Sequence, residues 1–342
     1  MKKTQRNTAE DIQPGQKVVI RLFRPQDGPG VAALFEAVYG PGYPIKVYYR
    51  PDELAAAIGQ GRIVQVVAAT ARGEVVGVES MFHSAPSKEV YEMGAALVLP
   101  SYRNQGISKD MNRFLVGSVI PQKGIPMTFG EPVCNHLFQQ KARESLGYLS
   151  MALQVDLMPA AAYDKEKSAA GRVAALMSFK GYQELEHAVR LPARYEPELR
   201  AIYQGSGLAR EVLPADPAAR LAGATAFETE IFDFAQVARV AFTETGEDLP
   251  ERLDRLLADL ASQGVRVVQA WLKLASPQVG AAVEVFRPRR FFLGGVLPRW
   301  FGQDGLFLQR VSERPNWEEI QIASQRSRMI ADMVRRDWDY LS

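Results

Sequence analysis

The sequence is poor in several things, and each scarcity excludes a class of protein. It has one cysteine, Cys134, so an internal disulfide and any multi-cysteine metal site are excluded. It has three histidines, His83, His136 and His187. None sits in an HExxH arrangement, which argues against a zinc hydrolase, and no metal is expected. Excess charge of one sign is missing too. Lys and Arg number 41 against 39 Asp and Glu, a net charge of +2. That balance gives no electrostatic case for nucleic acid or a membrane surface as partner. No run approaches the ~18 consecutive apolar residues of a membrane span. The polar stretch 1–16 lacks the apolar core of a signal peptide. It reads as an unstructured lead-in, and the expected location is cytoplasmic and reducing.

What is present is ordinary globular composition. Hydrophobic residues make up 47% and charged residues 23%, which excludes disordered, collagen-like and coiled-coil chains. At about 150 residues per domain, 342 residues predict two domains. In the first half, Lys17 to Arg24 reads as a strand. A helix follows through Val31, Leu34, Phe35 and Val38, and a short one begins at Asp52. Strands are expected at Ile63 to Thr70, Val75 to Phe82 and Val90 to Leu99, the first two joined by a tight Gly73 turn as a hairpin. The polar loop Ser101–Ser108 then feeds a helix over Lys109 to Val119, which Pro121 should stop. A strand over Ile125 to Phe129, a helix over Cys134 to Leu146 closed by Gly147, and a strand over Ser150 to Leu157 complete a mixed α/β (α+β) sheet.

Arg103-x-x-Gly106-x-Ser108 lies where a strand hands over to a helix. Positions without bulky side chains let backbone N–H groups approach a ligand, the helix start adds positive potential, and Arg103 adds a permanent cation. Together they suit a diphosphate; the plainer reading is a strand–helix turn that needs a glycine. There is no Walker lysine and no GxGxxG, so a nucleotide hydrolase or dinucleotide fold is not indicated.

Val98 to Ser108 resembles the acyl-CoA-binding motif of the GNAT N-acetyltransferase superfamily, Q/R-x-x-G-x-G/A after a V-x-P strand end. The element order of residues 17–158 also matches that family's fold. The sequence departs from the motif at Ser108, where Gly or Ala is usual, and at Asn104 and Gln105, where Gly and a basic residue are frequent. The resemblance implies acetyl-CoA, or another short acyl-CoA, as co-substrate. Its diphosphate would lie on the N–H groups of Asn104, Gln105, Gly106, Ile107 and Ser108, and its pantetheine arm would run beside Leu97, Val98 and Leu99. Asn135, within one residue of the family's position, would bond that arm. An oxyanion donor would be a backbone N–H near Leu97 or Val98.

Acyl transfer to an amine needs a base. Glu92, six residues before Val98, occupies the position of the catalytic glutamate of some relatives. Period two would put it on the same face as Val98. Glu79 on the partner strand is the second candidate; either could instead be a solvated carboxylate. The acid is the gap in the pattern: many relatives carry a tyrosine four residues before the helix-closing glycine, where this chain has Arg143. Cys134 and His136 are alternatives, against plain readings as a buried small hydrophobe and a helix-start polar residue.

The second half reads as a linker to Lys167, a helix over Ser168 to Phe179, and a new region from Val189. Next come a strand-like or mixed stretch over 228–240 and a helix opened at Asp248 with Leu253, Leu256, Leu257 and Leu260 on its apolar face. A strand over Val265 to Leu274, a helix over Pro277 to Phe286, and a hairpin at Phe291 to Leu297 and Gly305 to Val311 follow. A tail helix over Pro315 to Tyr340 ends the chain. That order resembles a second, degenerate GNAT-like copy, with an acidic stretch, 242–248, where a diphosphate loop would be. The expected domains are therefore 17–158, a linker and helix at 159–188, and 189–342. Trp300 and Phe301 read either as core or as the cap of an acceptor pocket between the halves. Arg287, Arg289 and Arg290 read either as a solvated face or as an attractor of an acidic acceptor. The expected activity is transfer of an acetyl or short acyl group from CoA to a small-molecule or peptide amine. The alternative is a non-catalytic acyl-CoA-binding or sensing protein, and a homodimer is compatible with either.

Overall fold

The computed structural model describes residues 9–43, 45–159 and 171–341. They fall into two compact units. One runs to Ser84 and takes up again over Tyr91–Ile125; the other comprises Ala85–Val90 and the chain from Pro126 onward. Residue 158 lies in a strand of the second unit.

In the first unit β1 (Val18–Leu22), β2 (Ile63–Thr70), β3 (Val75–Phe82) and β4 (Val90–Val98) pair in that order, all antiparallel. The β2–β3 hairpin expected around Gly73 is present. Every residue of β2, and all of β3 but Phe82, is buried, so both sheet faces are covered and apolar runs replace clean alternation. Helix α1 (Gly28–Tyr39) buries Val31, Leu34 and Phe35, and α2 (Pro51–Gly59) buries Leu54 and Ala57. Both lie between β1 and β2 in the chain. Helix α3 (Ile107–Phe114) does not end at Pro121. It passes through a π-turn at Leu115–Val119 into α4 (Ile120–Lys123), and Gly124, at φ 62°, closes it. Pro121 lies inside this continuous helix, directly after the π-turn and Ile120, and does not stop it.

The second unit holds β5 (Met127–Gly130), α5 (Phe138–Ser145), β6 (Leu149–Pro159) and β7 (Arg172–Gly181). Then come β8 (His187–Leu191), α6 (Glu196–Tyr203) and β9 (Arg210–Pro214), with β8 and β9 forming a small parallel pair. The chain continues with β10 (Ala226–Phe232), β11 (Val237–Glu244), α7 (Leu249–Ser262), β12 (Val267–Lys273), α8 (Val279–Phe286), β13 (Phe292–Leu297), β14 (Gly305–Val311) and α9 (Gln325–Leu341). The strand order is β5-β7-β6-β13-β14-β12-β11-β10, antiparallel except for the parallel pair β11–β12.

Three expectations are corrected here. The helix expected at 168–179 is β7 over its described part, and residues 168–170 lie outside the described residues. Its Val173 to Phe179 are buried on both faces, so no period-two signal was available, and the alanines and methionine imitated a helix. The tail helix begins at Gln325, not Pro315, after a short 3₁₀ turn at Trp317–Glu319. The helix expected from Cys134 begins at Phe138. The N–H of Cys134 instead donates to Ala174 O at 2.8 Å, beside β7.

β13 meets β6 at a single pair, Gly295 with Ala152. A Cβ on Gly295, at φ 137°, would stand 2.4 Å from Met151 O, and one on Gly294 would stand 2.2 Å from the Phe307 ring. Two adjacent glycines thus permit this join. Beside it, Gln309 of β14 reaches across to β6, donating to Leu153 O and accepting from Val155 N–H, each at 2.8 Å.

The same unit contains a fully buried carboxylate. Asp304 accepts from the Tyr203 hydroxyl and Arg210 Nε, both at 2.8 Å, and from Arg299 N–H at 2.9 Å. Burial pushes its pKa up, but hydrogen bonds from His187 and Arg210 prevail and hold it at about 2. A carboxyl depressed from its ordinary value near 3.9 stabilises the fold above that value and loses the effect as pH falls toward 2. We expect Asp304 to contribute on the order of 2 kcal/mol at neutral pH. Thermal melts from pH 5 to pH 2 should show the wild type losing more stability than Asp304→Asn; parallel curves would refute this.

Candidate active site

The registers of β3 and β4 place the two candidate carboxylates. Phe82 pairs with Glu92, Met81 with Met93 and Ser80 with Gly94; the register then shifts, and Val78 pairs with Leu97 and Gly77 with Val98. Two residues, Ala95 and Ala96, thus stand opposite Glu79. This is a β-bulge, and Ala95 takes φ 49° within it. Partners across a ladder share a face. Phe82 and Gly77 are five residues apart, so Glu92 and Val98 face opposite sides of the sheet. The period-two expectation that they share a face is therefore corrected; it failed because the inserted residue inverts the alternation.

Glu79 lies on the Val98 face, fully buried, and its Oε2 accepts from Asn112 Nδ2 of α3 at 2.7 Å. On that face α3 packs closely: a Cβ on Gly77 would stand 3.3 Å from Ile107 Cγ2 and Met111 Cε. Glu79 therefore anchors α3 to the sheet. Asn112→Ala should lower stability by about 1–3 kcal/mol, because a buried carboxylate loses a donor. A denaturant titration with an unchanged midpoint would refute this role.

Glu92 lies on the other face, half-buried, and its Oε2 accepts from the Ser84 hydroxyl at 2.6 Å. Its Oε1 leans over Gly94, where a Cβ would stand 3.4 Å from it and 3.3 Å from the Phe82 ring. The same face carries Ser80, whose Oγ accepts from Gln65 Nε2 at 3.0 Å. Tyr48 belongs to an aromatic group in and after α1, with Phe35 and Tyr39 of the helix and Tyr43 and Tyr49 beyond it. Burial first, and the Glu92 carboxylate in addition, push the Tyr43 and Tyr48 phenols upward, so both stay neutral. These residues were not singled out from the sequence. The clustering Tyr39, Tyr43, Tyr48, Tyr49 was the available signal, and without the bulge nothing tied it to Glu92.

At the C-terminal end of β4, the Leu99 N–H donates to Val76 O at 2.8 Å and a 3₁₀ turn covers Pro100–Tyr102. Arg103 Nε returns to Val98 O at 3.2 Å, and Gln105 Nε2 to Ser101 O at 3.3 Å. Asn104 and Gly106 both take left-handed conformations, at φ 62° and 81°. Asn is among the residues that tolerate this region, so the departure from glycine at 104 keeps the loop's shape. The first i−4 bond of α3 is donated by Asp110 to Gly106 O at 3.0 Å. The N–H groups of Ile107, Ser108 and Lys109 precede it and have no i−4 partner within the helix. Arg103, Asn104, Gln105 and Gly106 are exposed, and nothing lies within 4 Å of a Cβ built on Gly106. The loop is thus open, exposed backbone with one cation at its side.

The remaining candidates lie in the second unit. Asn135 is half-buried ahead of α5, and its carbonyl accepts from Gln321 Nε2 at 3.1 Å. Cys134 is buried, and that burial pushes its thiol up to about 12, so it behaves as the small hydrophobe. His136 precedes α5 rather than lying on it, and its carbonyl accepts from Gln140 Nε2. Arg143 is buried over the Tyr148 ring at 5.4 Å. Trp300 is 1% exposed among Phe129, Phe179 and Trp271, so its reading as a pocket cap is replaced by core packing. The expected arginine attractor is largely neutralised as well: Arg287 pairs with Asp337 at 2.5 Å and Arg289 with Asp254 at 2.6 Å. Among the described residues no group of three or more metal-ligating side chains converges, and no helix is long and apolar enough to cross a membrane.

No family model matches the sequence, and no curated protein matches it. Solved structures of N-acetyltransferases match about half of the chain at low identity. The ribosomal-protein-S18-alanine N-acetyltransferase of Escherichia coli is 14% identical, with 49% of this chain and 96% of that one covered and a TM-score of 0.39. A spermidine/spermine N-acetyltransferase of Vibrio cholerae is 10% identical, with 48% and 94% covered and a TM-score of 0.38. An N-acetyltransferase of Staphylococcus aureus is 14% identical, with 48% and 98% covered and a TM-score of 0.38.

Proposed function

We propose that this protein is an acyl-CoA-dependent N-acyltransferase of the GNAT type. The observation that carries the reading is the open loop Arg103–Ser108, two of whose residues are left-handed, at the start of α3. Its N–H groups suit the CoA diphosphate, with Leu97, Val98 and Leu99 beside the pantetheine arm. Glu92 is the general base, and Glu79 is a structural anchor. The acceptor amine gives its proton to Glu92 as its nitrogen forms the C–N bond to the thioester carbonyl. A backbone N–H at Leu97 or Val98 steadies the oxyanion, and the C–S bond then breaks with CoA leaving as thiolate. A thiol with an ordinary pKa of about 8.5 can leave without a dedicated acid.

The second unit is proposed to contain a degenerate copy. What supports this is that β12-α8-β13-β14, ordered β12-β14-β13, repeats β5-α5-β6-β7, ordered β5-β7-β6. The hairpin β10–β11 leading into α7 likewise repeats β3–β4 leading into α3. The copy has no CoA loop of its own. Ahead of α7, Gly246 N–H donates to Thr225 Oγ1 at 3.0 Å and Glu247 N–H to Gly223 O at 3.1 Å. A Cβ on Gly246 would stand 2.2 Å from Gly223 O. The N–H groups that would receive phosphate are already used, and Glu244, Glu247 and Asp248 would repel it.

The test is calorimetric titration with CoA and acetyl-CoA. Micromolar binding of both is expected, and no binding by the folded protein would overturn the reading. A non-catalytic acyl-CoA sensor is the second reading, favoured by Arg143 standing where a tyrosine acid is common. CoA binding without turnover of any amine would select it.

A further inference from the structure

We infer that the second unit holds the proposed base in place: Ser84 and Arg299 are positioning residues for Glu92, acting through the chain segment 85–90. The catalytic meaning of this coupling rests on the proposed function; the coupling itself does not. β3 and β4 pair as far as Phe82 with Glu92, and the His83 and Tyr91 rings that follow have centroids 3.9 Å apart. One step further, the Ser84 hydroxyl donates to Glu92 Oε2 at 2.6 Å. The chain leaves the first unit after Ser84 and re-enters it at Tyr91, because Ala85–Val90 belongs to the second unit. The carboxylate and its donor therefore stand at the two ends of a loop whose middle is fixed in the second unit.

A hairpin loop is ordinarily exposed and mobile. This one is pinned along its length. Ala85 and Val90 are buried in the second unit's core, at 5% and 0% exposure. Ser87 N–H donates to Trp300 O at 3.0 Å, and Glu89 pairs with Arg299 Nη1 at 3.6 Å. The receiving side is rigid. Arg299 is buried at a left-handed φ of 55°. Its N–H donates to Asp304 Oδ1 and its Nη2 to Gln183 O, each at 2.9 Å. A residue with a side chain keeps such a conformation only where its surroundings over-determine it. Here they do so through the buried Asp304, which Tyr203 and Arg210 also hold. A catalytic group must be held to within about 0.5 Å, and displacement costs rate even when its origin is far from the chemistry. Both members of the Ser84–Glu92 pair inherit their placement from the pinned segment: Ser84 is bonded to Ala85, and Glu92 lies two residues past Val90. A copy without a CoA loop of its own thus serves as the clamp on the base.

The experiment reads Glu92 in the full chain in two ways. Its carbon-13 carboxyl resonance, assigned by its loss in Glu92→Gln, reports placement. kcat and KM for acetyl-CoA, with an amine that the wild type turns over, report chemistry. Ser87→Pro removes the N–H given to Trp300 O; Ser87→Ala keeps it and loses only the hydroxyl that accepts from Glu89 N–H. Glu89→Lys sets a like charge against Arg299. Glu89 is exposed, so that variant stays informative if Ser87→Pro fails to fold. Ser87→Pro, Glu89→Lys and Ser84→Ala should each displace the Glu92 resonance and leave that of Glu79 in place. Each should lower kcat about 10-fold, with KM for acetyl-CoA within about twofold. Ser84→Thr, which keeps a hydroxyl, should restore both readouts, and Ser87→Ala should match the wild type. An unmoved Glu92 resonance in the folded Ser87→Pro and Glu89→Lys variants, an equal displacement in Ser87→Ala, or a displaced resonance with unchanged kcat would overturn the inference. Displacement in a protein that turns over no amine would overturn the acyltransferase reading alone and leave the coupling standing.

Discussion

Gly106→Trp is expected to weaken CoA binding by 100-fold or more while leaving the protein folded. Two features separate the effects. A Cβ at 106 meets nothing within 4 Å, so the indole enters open space and displaces no core atom. The residue sits at φ 81°, where a side chain costs about 1–2 kcal/mol. That is tolerable for a domain, and Gly106→Ala measures it separately. The Ala variant should lose stability to a similar degree yet keep most of its affinity, because a methyl group still leaves the N–H groups of the α3 start within reach. The Trp variant covers them. Calorimetry on both, with circular dichroism melts as the folding control, decides the matter. A folded Trp variant that binds CoA as the wild type does would move the diphosphate away from Arg103–Ser108.

Glu92→Gln should lower kcat by roughly 10²-fold or more, the usual loss for a missing general base, with acetyl-CoA affinity within twofold. The amide preserves size and can still accept from Ser84, so the bulge and the Phe82 contact stay in place. What it loses is the capacity to take the amine proton. The readout is CoA thiol release against an amine that the wild type turns over. Unchanged kcat would remove Glu92 from the mechanism. An equal fall in acetyl-CoA affinity would mean that the carboxylate supports the binding site and not the chemistry.

Much of this was legible beforehand. The order of elements over 17–158, the hairpin at Gly73, the left-handed closure at Gly147 and the helix opened at Asp248 follow from local chemistry: turn residues, caps and apolar period. The Arg103–Ser108 loop was recognisable because glycine placement is a backbone property written in the residue itself. The errors share one cause, which is that their evidence lies in a neighbouring strand. β7 is buried on both faces and so hides its period. The helix expected from Cys134 begins four residues later because Cys134 hydrogen-bonds to Ala174, forty residues on.

The face of Glu92 is the clearest case. Two carboxylates on adjacent strands were visible as candidates, and counting by two placed Glu92 with Val98. The inserted residue at Ala95–Ala96 reverses that assignment. It sends Glu79 to Asn112 and α3, and Glu92 to Ser84 on the opposite face. A bulge of this kind, formed by two alanines without a glycine, leaves no mark in the sequence; it exists only as a mismatch between paired strands. The sequence by itself therefore determined the loop that suits a diphosphate and the short list of possible bases. Only the tertiary structure, through one residue of register, decided which carboxylate is tied to α3 and which lies on the opposite face, bonded to Ser84.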